Sequence, residues 1–178
     1  MSLAISVTQD DVYTAMETFL TGVFPAGIPI IRGLPNRAAM PQSTPGFIVM
    51  QALMQNRFNM PVHSWDYGAI TPPSTLDIEQ GIELPMQIDC YGSTSGDWAA
   101  TISTAIEDQF GFDGLGASVK PLYCNQARMM PLTDEELEYE ERWCLDVHLQ
   151  INPVVTITQQ FADQLDLGVI NVTEKYPT

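Results

Sequence analysis

The sequence predicts an α+β fold: a mainly antiparallel sheet with two amphipathic helices packed on one face, and long loops between the elements. Between residues 74 and 91, apolar and polar side chains alternate over the length of a long strand. Directly after this segment, and again near the N-terminus, apolar residues recur at helical spacing. A helix laid on the apolar face of a sheet buries both apolar surfaces, which favours this arrangement.

The first helix is predicted to begin at Thr8, because Asp11 follows three residues later in the pattern of a capping box. Its apolar stripe runs from Val12 to Val23 at i, i+3 and i+4 spacing, and Phe24 and Pro25 end it. Three further segments follow in the prediction: a short strand over 28–32, a strand over 47–60 and a long connection over 61–73.

The segment after residue 74 is predicted as one continuous strand. Its even positions from Leu76 to Cys90 are apolar, and only Gln80 breaks the series. A turn and a second helix follow, with Ser95 as the expected N-cap. The apolar stripe of this helix includes Phe110, and the next residue, a glycine, is expected to end it.

The C-terminal half contains one more strongly patterned strand, over residues 137–152. Its odd positions are apolar and are expected to face the core, except Glu141 near its exposed beginning. Pro153 predicts a bulge or bend. Four weaker predictions surround this strand: a loop over 111–133 with an extended piece at 122–124, a strand over 154–158, a helical turn at 159–165 and a last strand at 167–172.

The charge of the chain is strongly acidic and unevenly distributed. Of its 178 residues, 22 are acidic and 7 are basic, which gives a net charge of −15. Residues 1–60 are balanced, so the rest of the chain carries the whole excess. Such a surface repels phosphate, which argues against nucleic-acid binding through a basic groove. The second face of the sheet is expected to be polar and acidic and, in a monomer, to meet water.

The bulk composition fits one folded domain over residues 1–178, with the short ends 1–7 and 173–178 as candidates for flexible segments. The three cysteines are far apart and odd in number, which is typical of reduced structural thiols. No apolar run is long enough for a membrane span and no signal-peptide pattern is present, so we expect a protein that is made in a cytoplasm and does not enter a membrane.

Residue patterns typical of catalysis or ligand binding are weak. Cys144, Asp146 and His148 lie in a row on one side of the predicted strand, but neighbours of this kind usually share only a surface. The acidic run 134–136 offers ligands to a hard cation without the spacing of an EF-hand. We therefore predict no catalytic residue, no cofactor and no metal site, and we do not expect an enzyme.

Four short strings, in this order along nearly the whole chain, resemble a known family: Asn36-Arg37-x-x-Met40-Pro41, Gln87-Ile88-Asp89-Cys90-Tyr91-Gly92, Pro121-Leu122-Tyr123-Cys124, and Arg142-Trp143 at the start of the strand that ends at Asn152-Pro153. Together with the acidic α+β pattern, they are similar to the neck or tail-terminator proteins of tailed bacteriophages and prophages. Tail completion and head–tail joining remain open as neighbouring roles, because small α+β proteins of the neck share this architecture.

The resemblance implies a virion structural protein rather than a chemical activity. Terminators of this kind cap the tail tube as a ring, commonly of six subunits, stop tube growth and present a surface to the head. The implied partners are further copies of the chain, the tail tube and the head-completion proteins. DNA would pass through the channel without specific binding, and the protein would be assembled in the host bacterial cytoplasm and reside in the virion neck.

The resemblance singles out particular residues but implies no chemical activity for them. It assigns an interface or structural role to seven residues: Asn36, Arg37, Asp89, Tyr91, Gly92, Arg142 and Trp143. Gly92 is expected to supply backbone freedom at the turn, and Asp89 and Arg142 are expected to pair across the sheet. Two alternatives stay open: an acidic protein-binding module that mimics DNA as a monomer or dimer, and an enzyme that uses the Cys144, Asp146 and His148 row.

Overall fold

A computed structural model describes residues 3–33, 41, 45–66, 74–133 and 139–159. Within these residues the chain forms an α+β fold, as predicted, with three helices and mostly antiparallel strands. The helices are α1 (Gln9–Val23), α2 (Ser95–Ile106) and α3 (Gln109–Gly114). The strands are β1 (Ala4–Ile5), β2 (Ile30–Arg32), β3 (Phe47–Ala52), β4 (Asn56–Arg57), β5 (Val62–Asp66), β6 (Ser74–Glu79), β7 (Ile82–Tyr91), β8 (Val119–Cys124), β9 (Arg128–Met129), β10 (Leu132–Thr133), β11 (Tyr139–Glu140), β12 (Arg142–Ile151) and β13 (Val154–Gln159).

The large sheet has seven strands and contains the main core. Its order is β2-β3-β7-β12-β8, with β4 beside β7 and β9 beside β12, and only β2 and β3 run parallel. The helices pack on one face of this sheet, against β2, β7, β8 and β12. The fully buried side chains of this layer include Met16, Leu20, Met50, Leu84, Met86, Ile88, Ile102, Ile106, Leu145 and Leu149. The predicted inward register of β12 is therefore confirmed.

The predicted continuous strand over 74–91 is wrong, because it is divided between two sheets. β6 and β13 leave the large sheet and join a small four-stranded sheet, whose order is β1-β13-β6-β5. The chain bends at Gln80 and Gly81, opposite Pro153, and the backbone N–H of Gln80 donates to the Pro153 carbonyl at 3.1 Å. Gln80 is the residue that interrupts the apolar series, so the bend coincides with the break in the pattern.

The small sheet has one apolar face on which none of the described helices packs extensively. Cross-strand partners place these apolar side chains in register on that face: Ile5 with Val155 and Ile78, and Ile157 with Leu76 and Trp65. Among the described residues, the main core has no member from β5, β6 or β13. β1 lies inside the segment 1–7 that was expected to be flexible, and it forms one edge of this sheet.

The structure confirms the predicted helix α1, whereas the second predicted helix is divided into two helices, α2 and α3. The Thr8 hydroxyl accepts a hydrogen bond from the Asp11 backbone, and the Asp11 carboxylate accepts one from the Thr8 backbone. The expected N-cap Ser95 is wrong, since Thr94 occupies the cap position and Ser95 begins α2. α2 ends at Ile106 and α3 turns away so tightly that a Cβ on Gly111 would lie 2.3 Å from the Ile106 carbonyl oxygen. As a result Phe110, predicted to be buried, is 51% exposed.

Four other predicted segments change. The strand over 47–60 divides into β3 and β4 because residues 53–55 bulge opposite Pro85, which has no N–H for the ladder, and the Leu53 N–H donates to the Pro85 carbonyl. The predicted connection 61–73 contains β5, and the predicted loop 111–133 contains the end of α3 and all of β8, β9 and β10. The predicted strand over 137–152 is interrupted at Glu141, with β11 before it and β12 after it.

Some predictions lie outside the described residues: the beginning of the strand at 137, the helical turn at 159–165 except Gln159, the last strand at 167–172 and the tail 173–178. Within the described part of the chain, no helix has the length and apolarity that crossing a membrane requires.

Candidate functional site

The predicted pair between Asp89 and Arg142 is present on the second face of the large sheet, the face away from the helices. The two residues are diagonal neighbours on β7 and β12, and the Arg142 Nη2 atom lies 2.8 Å from the Asp89 Oδ2 atom. Asp89 is only 7% exposed, and its Oδ1 atom also accepts a hydrogen bond from the Gln87 amide at 3.1 Å. A carboxylate this buried needs such partners, since an unpaired charge is costly away from water.

A stacked pair of aromatic rings lies beside the arginine of this ion pair. The Arg142 guanidinium lies 5.7 Å from the centre of the Tyr91 ring, and Tyr91 stacks on Phe47 at 4.4 Å. Gly92 follows with a φ of 111°, which a side chain would disfavour, and its N–H donates to the Glu141 carbonyl. These residues join the end of β7 to the beginning of β12, directly before α2.

Trp143 connects the same region to the core. Its ring packs beside the main core and its indole N–H donates to the Glu141 carboxylate at 3.0 Å. Five of the seven predicted site residues therefore lie together at one end of β7 and β12. Asn36 and Arg37 fall outside the described residues. The contacts give the five a structural setting, and an additional role in an interface stays a prediction.

A second polar cluster lies at the opposite end of the same two strands. The His148 Nδ1 atom is 2.7 Å from the Glu83 carboxylate, and the Tyr123 hydroxyl donates to that carboxylate at 3.0 Å. Tyr123 also stacks on the His148 ring at 4.1 Å, and Asn125 lies within hydrogen-bond distance of the other ring nitrogen. The hydrogen bonds from His148 and Tyr123 lower the pKa of Glu83.

The row formed by Cys144, Asp146 and His148 does not form a connected catalytic group. The Cys144 thiol accepts from the Gln87 amide, Asp146 pairs with Arg128 at 3.1 Å, and His148 pairs with Glu83. Burial raises the pKa of the Cys144 thiol, which disfavours the reactive thiolate. Among the described residues, no group of three or more histidine, cysteine or acidic side chains is arranged to hold a metal ion.

The acids on the second face of the large sheet are less solvated than expected. Among the described acids on β7 and β12, Asp89 pairs with Arg142, Asp146 pairs with Arg128, and Glu83 is hydrogen-bonded to His148 and Tyr123. The side chains of these three acids are between 10% and 18% exposed. The face is polar, as predicted, and cross-strand partners hold its acids, which alternation along single strands could not reveal.

An exposed apolar segment lies beside the small sheet. We call it the 53–65 patch, and it consists of the exposed large side chains Leu53, Met54, Phe58, Met60, Val62 and Trp65. Met60 is 85% exposed. Leu53 and Met54 lie in the bulge opposite Pro85, and Val62 and Trp65 project from opposite faces of β5. The density of Met, Phe and Trp between residues 53 and 65 was the available signal.

An apolar surface of this kind, beside a well-filled core and an ion-paired polar face, is typical of a protein that works through contacts with other proteins. The chain belongs to a family of this class, the phage neck terminator proteins, whose family model matches residues 10–175. It is thus a structural component of the phage tail and neck region, as the sequence resemblance predicted. Among curated proteins, no sequence matches the chain.

The fold is also similar to a solved terminator. The cryo-EM structure of the sheath/tube terminator of an extracellular contractile injection system, called PVC, in its extended state, superposes with a TM-score of 0.53 at 13% identity. The match covers 96% of this chain and 65% of the other, so the chain spans just under two thirds of that protein's length. At this identity the likeness concerns the fold.

Proposed function

We propose that the chain assembles into a ring, of six copies, which caps the tail tube at the neck and joins it to the head. The observation that carries this proposal is membership of the neck terminator family over residues 10–175. A terminator must contact copies of itself as well as the tube, and a ring with one closed rotation axis satisfies every lateral contact.

The surfaces of the subunit support assembly. Exposed apolar side chains cluster in the 53–65 patch, whereas the ion pairs between β7 and β12 leave little there for a partner to bind. Monomeric proteins rarely expose large apolar patches, so the 53–65 patch is a candidate for burial in an assembly. The partners we propose are further copies of the chain, the tail tube and the head-completion proteins of the neck.

The net charge of −15 bears on both DNA passage and assembly. A ring of acidic subunits repels phosphate, so DNA passes through its channel without specific binding. The same charge opposes association of subunits, and salt screens it. We propose that assembly occurs in the host bacterial cytoplasm, where the end of the tail tube helps to gather the subunits.

Light scattering across a salt series, followed by electron microscopy of the largest species, tests this function. We expect a closed ring whose fraction rises with salt, and whose mass corresponds to six copies. If the chain stays monomeric, it is added to purified tail tubes from its phage, where we expect rings at one tube end. A chain that forms no ring alone and binds no tube end contradicts the proposal and favours an acidic DNA-mimic module.

A further inference from the structure

A small pocket lies at the corner where the large and small sheets meet. We call it the corner pocket. It has a volume of about 380 Å³, and its walls include Ile5, Gln55, Arg57, Ile78, Ile82 and Val155. Gln80 and Pro153 also line it, and these are the residues at which the ribbon bends from one sheet into the other. The pocket is therefore built from both sheets and from the β4 region beside them.

Strand register gives the corner pocket an apolar floor. Ile5, Val155 and Ile78 are direct cross-strand partners on β1, β13 and β6. Direct partners project to the same face of a sheet, so these three side chains form a continuous apolar row. Ile82 extends this surface onto the large sheet, where it belongs to the main core. Ile5 is 49% exposed, so a group from outside can reach the row.

One wall of the pocket carries a positive charge. Arg57 is the direct partner of Ile82, so its side chain lies on the same face as the apolar floor. Arg57 is exposed, and in the described part of the chain its side chain makes no ion pair and no hydrogen bond. The other described arginines each pair with an acid of this chain: Arg32, Arg128 and Arg142. Arg57 is the exception, and it is the arginine that lines an apolar pocket.

The acidic residues of the adjacent strands face away from this pocket. Asp77 and Glu79 alternate with Ile78 along β6, so they project from the opposite face of the small sheet. On β7, Glu83 projects from the second face of the large sheet, where it is hydrogen-bonded to His148. The pocket thus combines apolar side chains with a cation that no described acid neutralises, which is complementary to an aliphatic group beside a carboxylate.

We propose that the corner pocket binds an extended peptide segment of another protein, in which an acidic residue lies next to an aliphatic one. The aliphatic side chain packs on the row formed by Ile5, Val155 and Ile78. The carboxylate accepts hydrogen bonds from the Arg57 guanidinium, whose planar group can bind both carboxylate oxygens at once. Gln55 lines the same pocket and offers a further amide donor.

The size of the pocket and the class of the protein both favour a peptide. A volume of about 380 Å³ lies near the lower limit of ligand pockets, which suits the side chains of one extended segment better than a folded surface. Neck terminators are structural proteins, so a protein segment is a more fitting occupant than a metabolite. The proposal does not depend on how many copies form the ring.

Selection from a random heptapeptide library on the immobilised full-length protein tests the recognised chemistry. Peptides that bind wild type but not Arg57→Gln are expected to share an Asp or Glu next to, or one position from, Leu, Ile, Val or Met. Enriched peptides without an acidic residue, or the absence of any peptide that distinguishes the two proteins, would overturn the proposal.

The affinity of an enriched peptide, measured by fluorescence anisotropy, tests the roles of the walls. Arg57→Gln is expected to weaken binding about tenfold or more, because it removes a charged donor from the carboxylate. Val155→Thr keeps the shape of the floor but adds a hydroxyl group, and it should weaken binding roughly threefold. Circular dichroism shows that each variant is folded.

Lys120→Gln is the matched control, since it removes one positive charge from a different pocket. It should bind the peptide like wild type. An equal loss in this control would show that only the overall charge matters, and unchanged binding by Arg57→Gln would show that this arginine is not used. Either result overturns the proposal.

Methyl NMR of isoleucine-labelled protein locates the bound peptide. The methyl signals of Ile5 and Ile78 should shift on titration, whereas those of Ile102 and Ile106, which are buried on α2, should stay unchanged. Shifts confined to isoleucines outside the corner pocket would contradict the proposal.

Octanoate, an aliphatic carboxylate without peptide groups, distinguishes a small-molecule site from a peptide site. A pocket that binds octanoate through Arg57 but no library peptide would overturn the peptide assignment. The proposed function is tested separately. An Arg57→Gln protein that loses the peptide but still forms rings supports the peptide site, and a wild type that binds the peptide but forms no ring contradicts only the proposed function.

Discussion

One ribbon of paired strands runs through both sheets, as β7 and β12 in the large sheet and as β6 and β13 in the small sheet. The apolar faces of the two sheets are nevertheless covered differently. In the large sheet, β7 and β12 bury apolar side chains such as Met86 and Leu145 under the helices. In the small sheet, the continuations β6 and β13 carry the same alternation, but the described helices do not cover them. The alternation of a strand therefore defines an apolar face without defining what covers it. Among the described residues the helices cover only the large sheet.

The largest difference should appear when core side chains are shortened. Leu145→Ala is expected to lower the free energy of unfolding by about 2–5 kcal/mol, because it leaves a cavity under α2. Urea denaturation followed by circular dichroism measures this change. A loss below about 0.5 kcal/mol, typical of surface substitutions, would show that the large sheet is not the stabilising part of the subunit.

The ion pair on the second face of the large sheet should have the next largest effect. Arg142→Ala is expected to cost about 2–3 kcal/mol, since it leaves the buried Asp89 carboxylate without its cation. The control is the double variant Asp89→Leu with Arg142→Met, which removes both charges and should recover most of the loss. The same urea measurement tests this expectation. A double variant with a lower free energy of unfolding than Arg142→Ala would contradict the account.

The Glu83 cluster should give a smaller effect that depends on pH. Hydrogen bonds from His148 and Tyr123 lower the pKa of Glu83 from its ordinary value of 4.5. Its contribution is therefore present above that value and is lost as the pH falls through the lowered pKa. Wild type should be more stable than Glu83→Gln near neutral pH, and the difference should shrink in acid. Urea midpoints across the pH range test this, and a difference independent of pH would oppose it.

The smallest effect on the isolated subunit is expected in the 53–65 patch. Phe58→Ala should change the free energy of unfolding of the monomer by less than about 0.5 kcal/mol, because this side chain is half exposed. The same substitution should weaken association of copies measurably. Stability is followed in urea at a concentration where the protein is monomeric, and association by sedimentation. A strongly destabilised monomer would mean that the patch belongs to the subunit's own core.

Sequence reasoning succeeded where local pattern and tertiary structure agree. The Thr8 cap and the apolar stripe of α1 depend on residues three and four apart, and the register of β12 depends on alternation alone. The pair between Asp89 and Arg142 was predicted from two polar-face residues in strands expected to be neighbours. In each case the determining contacts lie within one element or between adjacent strands.

It failed where one residue changes the path of the chain. Gln80 with Pro153 divides the ribbon between two sheets, Pro85 interrupts the β3–β4 strand, and Gly111 lets α3 turn sharply after Ile106. Each was visible as a break in a pattern, but the effect of a break depends on the neighbouring strand or helix. The ion pairs of the second face were hidden for the same reason, because acids and arginines from different strands meet there.

Hydrogen–deuterium exchange, compared between the isolated subunit and the assembled ring, tests the proposal that copies of the chain assemble through the 53–65 patch. Amides of β7 and β12 should exchange slowly in both states. New protection on assembly should appear in residues 53–65. Unchanged exchange in this segment, with new protection elsewhere in the ring, would contradict the account.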